Sequence, residues 1–285
     1  MNRVTIDMDA LRHNIDQIGR WMDAHDATWT LVTKAMCGHQ PTLSALRGLG
    51  VRSMGDSRLE NLEALAQVRR RPETWYLRPP HLSALPLVVS LSDVSLNSEI
   101  AVVDALNREA RKQGRHHRVV IMIELGDLRE GLLPGSLVSA YRRVFELSNI
   151  EVFGIGANLG CLAGAVPSPD QLTQLALYRE LLELKFERKL PLISAGSSAV
   201  LPLLLQGQVP RSVNHYRIGE AVFLGTDLVN GGTLEGLRND GITLEAEVVE
   251  VKKKSLIPLG ETTSMTPFEP LDGADTSPGQ RGYRA

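Results

Sequence analysis

Between Val4 and Ile218 the chain alternates short strand-favouring runs with helical patterns, and this alternation narrows the fold more than any other feature of the sequence. A strand at Val4 to Ile6 passes through Asp7 and Asp9 into a helix whose apolar residues Leu11, Ile15, Ile18 and Met22 recur at three-to-four-residue spacing. Strand-like runs follow at Trp29–Thr33, Arg52–Met54, Thr74–Leu77, Asp93–Leu96, Val119–Leu125, Glu151–Ala157, Leu190–Ser194 and Val213–Ile218. Helical patterns separate most of them: Thr42–Leu49, Ser57–Val68, Glu99–Lys112 with a cap expected near Asn97 or Ser98, a stretch ending near Leu147, Asp170–Lys185, and Val200–Leu205. Val119 to Leu125 is apolar almost throughout, as a strand buried on both faces should be. Units of this size fit a parallel barrel or a doubly wound sheet, and pattern alone does not separate the two.

After Gly225 the texture changes. Asn230-Gly231-Gly232 is a turn signal, and Ile242 to Lys252 alternates like a half-buried antiparallel strand. Residues 1–232 therefore read as one α/β domain and 233–285 as the start of a β domain. From Glu261 to Ala285 the chain is dominated by Thr, Ser, Pro, Gly and Asp, too little apolar surface to complete such a domain, so 261–285 is expected to be a mobile tail or the remnant of a truncated domain.

A chain of 285 residues, 43% hydrophobic, can bury one large core plus a small appendage. Its formal charge of -2, with both signs interspersed, carries no polyanion signature, so nucleic acid is not an expected partner. No apolar run approaches the roughly 20 residues of a spanning helix, and the start lacks a basic region followed by an apolar stretch; the expectation is a cytoplasmic protein without a membrane partner. Cys37 and Cys161 lack zinc-type spacing and are expected as free thiols, with no metal site.

The candidate site residues fall at strand ends, where the loops of a βα-repeat protein gather. Lys34 ends the Trp29–Thr33 run and precedes a small, glycine-containing turn. It reads either as a solvated lysine or as a Schiff-base lysine, and its neighbours alone do not decide. Arg217 sits in His215-Tyr216-Arg217-Ile218-Gly219-Glu220, after an apolar strand. Ser194-Ala195-Gly196-Ser197-Ser198-Ala199 supplies small residues at a strand-to-helix turn, suited to a phosphate or to an ordinary serine cap.

Together these segments decide. Val32-Thr33-Lys34-Ala35-Met36-Cys37-Gly38-His39 resembles the cofactor-lysine segment of pyridoxal-phosphate enzymes with the alanine-racemase fold, and the resemblance, closest to the ornithine and basic-amino-acid racemase branch, runs from about Thr5 to about Gly260. It selects a (β/α)8 TIM-type barrel with an incomplete C-terminal β domain. It implies pyridoxal 5'-phosphate as cofactor, a free amino acid, ornithine or another basic one, as substrate, racemisation by α-proton exchange through an external aldimine, and a homodimer. Lys34 takes the cofactor-lysine role, and Arg217 the place that meets the pyridine nitrogen. Ser197, Ser198, Gly219 and Glu220 take the phosphate end, although the branch usually has asparagine where Ser197 stands. Asn158, in Gly154-Ile155-Gly156-Ala157-Asn158-Leu159-Gly160-Cys161, lies against the ring, with Cys161 as a catalytic candidate. Arg129, in Glu124-Leu125-Gly126-Asp127-Leu128-Arg129-Glu130-Gly131, corresponds to the arginine that holds substrate carboxylate or cofactor oxygen. Asp127 and Glu130 are candidates for a distal ammonium, and Asp56, Ser57 and Asn97 for the mouth of the site. The sequence departs from alanine racemases at Leu259, which stands at the place of the tyrosine serving the opposite face, so the second acid/base is unassigned. The same resemblance leaves two alternatives: a non-catalytic pyridoxal-phosphate homeostasis protein, and a lyase or aldolase of the same fold.

Overall fold

The computed structural model describes residues 2–160, 164–255 and 281–284. It divides into two compact units, Ile6–Ile242 and the remainder, Met1–Thr5 with Thr243–Ala285. The elements in chain order are β1 (Arg3–Ile6), α1 (Met8–Ala24), β2 (Thr28–Val32), α2 (Gln40–Gly48), β3 (Ser53–Asp56), α3 (Leu59–Ala66), β4 (Glu73–Tyr76), α4 (Leu85–Leu91), β5 (Val94–Asn97), α5 (Ile100–Lys112) and β6 (His117–Met122). They continue with α6 (Leu137–Val144), β7 (Ile150–Ala157), α7 (Pro169–Phe186), β8 (Leu192–Ala195), α8 (Leu201–Leu205), β9 (His215–Ile218), α9 (Glu220–Leu224), β10 (Ile242–Glu245), β11 (Lys252–Ser255) and β12 (Arg281–Arg284).

Strands β2 to β9 close into an eight-stranded barrel in which every neighbour is parallel. Closure of the sheet, rather than a doubly wound arrangement, is thus the observed solution. Side-chain alternation splits the apolar residues into two cores. Val119 and Ile121 of β6 face the helices, together with Leu31, Met54 and Ile155. Val120 and Met122 face the barrel interior, where they meet Trp75, Leu77, Val94, Leu96 and Leu192. That is why this strand reads as continuously apolar. The other half of the interior is polar, lined by Thr30, Ser53, Ser194, His215 and Arg217 of β2, β3, β8 and β9.

Local chemistry sets the helix starts. Asp7 caps α1 by accepting from the Asp9 and Ala10 amides, and Ser168 with Gln171 forms a reciprocal capping box on α7 behind Pro169. The cap of α5 differs from expectation: Glu99 holds the position without a side-chain bond, because Asn97 is still in β5 and turns its amide to Ser95. Helix α4 was not anticipated, since its Leu-Pro-Leu-Val-Val run carries no polar face to set a helical period. In the smaller unit β1 pairs with β10 and β11 with β12. The anticipated half-buried strand Ile242–Lys252 is shorter and more exposed: β10 ends at Glu245, β11 starts only at Lys252, and Leu244, Val248, Val249 and Val251 are all exposed. The expectations for 261–280 and for Leu259 lie outside the described residues. Among the described residues no helix is long and apolar enough to cross a membrane.

Two buried histidines make the fold acid-sensitive. Burial pushes His117 down to about 4, with Asp93 opposing and Arg118 adding, and pushes His215 down to about 3, with the Arg217 charge adding. The folded state refuses a proton that each unfolded imidazole accepts below its ordinary value of 6.5. Stability is therefore fully present above that pH and falls as pH drops towards 4, by about 2 kcal/mol per histidine at pH 5. Unfolding of the protein and of His117→Asn at pH 7 and pH 5 checks this. The parent should lose about 2 kcal/mol more than the variant between the two pH values, and equal losses would refute the assignment to His117.

Candidate active site

A cavity of about 270 Å³ opens at the C-terminal ends of the barrel strands. Lys34, Arg129, Asn158, Ser197, Ser198, Arg217, Gly219 and Glu220, all expected from the sequence, line it together with apolar residues such as Val32 and Leu96. A larger hollow of about 950 Å³ lies at the opposite strand ends, beside Trp29, Arg52 and Glu73, and none of the expected site residues reaches it.

Lys34 opens a single helical turn, Lys34–Met36, directly after β2, and its side chain is exposed. The backbone before it is pinned. Thr33 donates through its amide to the Gly55 carbonyl at 2.9 Å and through its hydroxyl to Asp56 Oδ2 at 3.2 Å. Asp56 is fully buried and also accepts from the Ser57 and Arg58 amides and from Asn61. It is thus an anchor for the Lys34 turn and not a wall of the cavity, because β3 presents Gly55 inward and Asp56 outward. Ser57 and Asn97 likewise do not line the cavity.

Arg217 is almost wholly buried on the inner face of β9, whose Tyr216 and Ile218 face the helices. Its Nη1 donates to the Ser194 carbonyl at 3.2 Å and to Ser194 Oγ, while Nη2 donates to the Ala157 carbonyl at 2.9 Å and Asn158 Oδ1 at 3.0 Å. One guanidinium from β9 therefore ties β8 and β7. From Asn158 the network continues: Nδ2 donates to Glu130 Oε1 at 3.1 Å, and the same carboxylate receives Arg129 through Nε at 3.3 Å and Nη2 at 3.2 Å. Two arginines are coupled through one amide and one carboxylate. Glu130, a candidate for a distal ammonium, is thereby occupied by Arg129 and Asn158, and Asp127 is buried. Glu124 builds the loop below them by accepting from the Leu128 amide at 3.2 Å and the Arg129 amide at 2.9 Å.

Two tight turns, after β8 and β9, meet at the same cavity. Ser198 Oγ, buried, accepts from the Ala221 amide at 3.2 Å and so fastens the Gly196–Ser198 turn to the start of α9. Ser197 acts as a cap, accepting from the Ala199 amide at 3.2 Å and donating to the Leu159 carbonyl at 3.3 Å. Gly219 packs so closely on β2 that an added Cβ would lie 3.0 Å from Val32 Cβ and 3.1 Å from its carbonyl oxygen. Glu220 begins α9 with an exposed side chain. Cys161 lies outside the described residues, and Cys37 is an exposed free thiol.

This donor set suits pyridoxal phosphate. A permanently charged arginine that can only donate is deep in the cavity, an amine stands at the rim, and small residues with helix-start amides form one wall. The sequence reading overlooked Ser194 and the Ala157 carbonyl as partners of Arg217; strand alternation, which turns Ser194 inward two residues before Gly196, was the available signal.

Residues 6–227 match the family model described as alanine racemase, N-terminal domain. The chain is 34% identical over 260 residues to an ornithine racemase of Acetoanaerobium sticklandii, covering 91% of this chain and 73% of that protein. It is 29% identical over 259 residues to a lysine racemase of Thermotoga maritima, covering 91% and 72%. Its structure is similar to that of an alanine racemase from Bartonella henselae with covalently bound pyridoxal phosphate, with a TM-score of 0.68, 17% identity, and coverage of 89% of this chain and 68% of that one. The chain belongs to the alanine racemase family, in the branch that includes the ornithine and lysine racemases.

Proposed function

We propose that this protein is a pyridoxal-phosphate-dependent racemase of a free basic amino acid, ornithine foremost. The observation that carries the reading is the convergence of Lys34, Arg217 and the Ser198–Gly219 turns on one cavity. The kinship with ornithine and lysine racemases supports the substrate class.

Bound pyridoxal phosphate supplies a conjugated ring that disperses negative charge developing at an amino acid's α-carbon. Lys34 would carry the amine that attaches the cofactor and would exchange the α-proton on one face of the substrate, while inversion requires proton return on the opposite face from a second group that stays unassigned. Arg217 offers donors and no acceptor, so it holds the pyridine nitrogen as an acceptor and disfavours its protonation. That limits charge dispersal and biases the site towards proton return. Ser198, Gly219 and the backbone of Glu220 anchor the phosphate, with Ser197 holding their turn. Asn158, held between Arg217 and Glu130, would orient the ring, and Arg129, paired with Glu130 through Nε and Nη2, would offer its remaining donor to a carboxylate at the mouth. A homodimer belongs to the same reading, and light scattering of active protein tests it.

The function itself is tested by proton NMR in D2O with pyridoxal phosphate and L-ornithine, L-lysine or L-alanine. Loss of the α-proton signal with ornithine or lysine, followed by appearance of the D enantiomer on chiral analysis, is the expected result. No exchange on any of the three would overturn the racemase reading.

A further inference from the structure

Six side chains join end to end through the polar half of the barrel interior. Arg217 Nη1 donates to Ser194 Oγ, which lies 2.9 Å from His215 Nδ1. His215 Nε2 lies 3.0 Å from Thr30 Oγ1, Thr30 Oγ1 lies 2.7 Å from Ser53 Oγ, and Ser53 Oγ lies 3.4 Å from Glu73 Oε2. The strand register makes this possible, because Ser194 pairs with His215 and Thr30 with Arg217. The line runs from the candidate site to the opposite mouth of the barrel.

Its two ends determine its sense. A guanidinium only donates and a carboxylate only accepts, whereas each group between them has one hydrogen to give along the line. Ser194 accepts from Arg217 and gives its hydrogen to His215 Nδ1. The imidazole then carries its hydrogen on Nε2, gives it to Thr30, and Thr30 and Ser53 pass theirs on towards Glu73. In the reverse sense Ser194 receives hydrogens from both Arg217 and His215 while its own has no acceptor in the line, and Ser53 faces Glu73 with no hydrogen between them. Only the forward sense satisfies every member.

The far end is clamped. Trp75 stacks on the His215 ring at 4.4 Å with planes 9° apart, and its Nε1 donates to Glu73 Oε2 at 2.9 Å. Arg118 Nη2 holds Glu73 Oε1 at 2.7 Å. Thr30 and Ser194 are fully buried and His215 nearly so. Burial, with the Arg217 charge adding, keeps the imidazole neutral at physiological pH.

We propose that Ser194 and His215 are positioning residues for Arg217, with His215 locked as the Nε2–H tautomer by a one-directional hydrogen-bond line that ends on Glu73. The line fixes where Arg217 Nη1 points before any ligand arrives. Its consequence for the cofactor rests on the function proposed above; the line itself does not.

Two measurements on cofactor-free protein test it. Nitrogen-15 NMR of the His215 ring, assigned by its loss in His215→Gln, should report a neutral imidazole protonated at Nε2 and unchanged between pH 8 and pH 5. A ring protonated at Nδ1, or at both nitrogens at pH 7, overturns the proposal. Hydrogen exchange at the Arg217 Nη groups should be at least about tenfold faster in Ser194→Ala and return towards the parent rate in Ser194→Thr, which restores the hydroxyl. Equal exchange in parent and Ser194→Ala also overturns it. In protein loaded with pyridoxal phosphate, Ser194→Ala should weaken cofactor binding about tenfold and Ser194→Thr should recover it. If the parent takes up no pyridoxal phosphate while both measurements on cofactor-free protein hold, the function is wrong and the positioning line stands.

Discussion

Replacing Lys34 with alanine is expected to abolish borohydride-fixable attachment of pyridoxal phosphate and to lower α-proton exchange by a factor of about 10² to 10⁴ or more, the range a positioned acid/base group supplies. Lys34 is the candidate because of where the chain holds it. β2 delivers it to the cavity rim, and the buried Asp56–Thr33 bond fixes the backbone one residue earlier, so the amine is aimed by rigid elements although its side chain is exposed. Mass spectrometry after borohydride treatment should locate the cofactor on the peptide containing Lys34. Attachment elsewhere, or exchange that survives in Lys34→Ala, would remove Lys34 from its role.

How far the sequence carried the fold and the site follows from the kind of signal each residue leaves. Barrel staves are legible because alternation into two cores leaves an apolar mark on consecutive residues, as in Val119–Met122. Lys34, Ser198 and Arg217, which line one cavity, stand out through short segments that resemble the family's, since the neighbours of Lys34 alone do not decide its role. Asp56 and Asn97 were placed at the mouth on the same ground, and both turn outward, since one residue of offset in a strand reverses its face. The Arg129–Glu130–Asn158–Arg217 network and the Thr30–His215–Ser194 line leave no local mark. Thr30 and His215 are 185 residues apart and meet only when the barrel closes.

The same closure explains the second large effect expected, that of Arg217→Lys. The guanidinium on β9 reaches two acceptors on Ser194 of β8 and two on Ala157 and Asn158 at the end of β7. Its planar fork presents donors on both sides at once, whereas an ammonium at the end of a flexible stem is a single point that cannot span the two groups. Arg217→Lys keeps the charge but leaves at least two buried acceptors unmet. With hydrogen bonds to charged groups worth about 1.5 to 3 kcal/mol each, the variant should lose roughly 3 kcal/mol of stability, read as a shifted urea midpoint. It should also lose α-proton exchange by about 10²-fold or more, because Asn158 and through it Glu130 and Arg129 are released together with the donor proposed to meet the cofactor. A variant that unfolds at the parent's midpoint would show that Arg217 does not staple the strands. One that is destabilised yet exchanges at the parent's rate would leave it a structural group only, and the proposed tuning of the ring would fall.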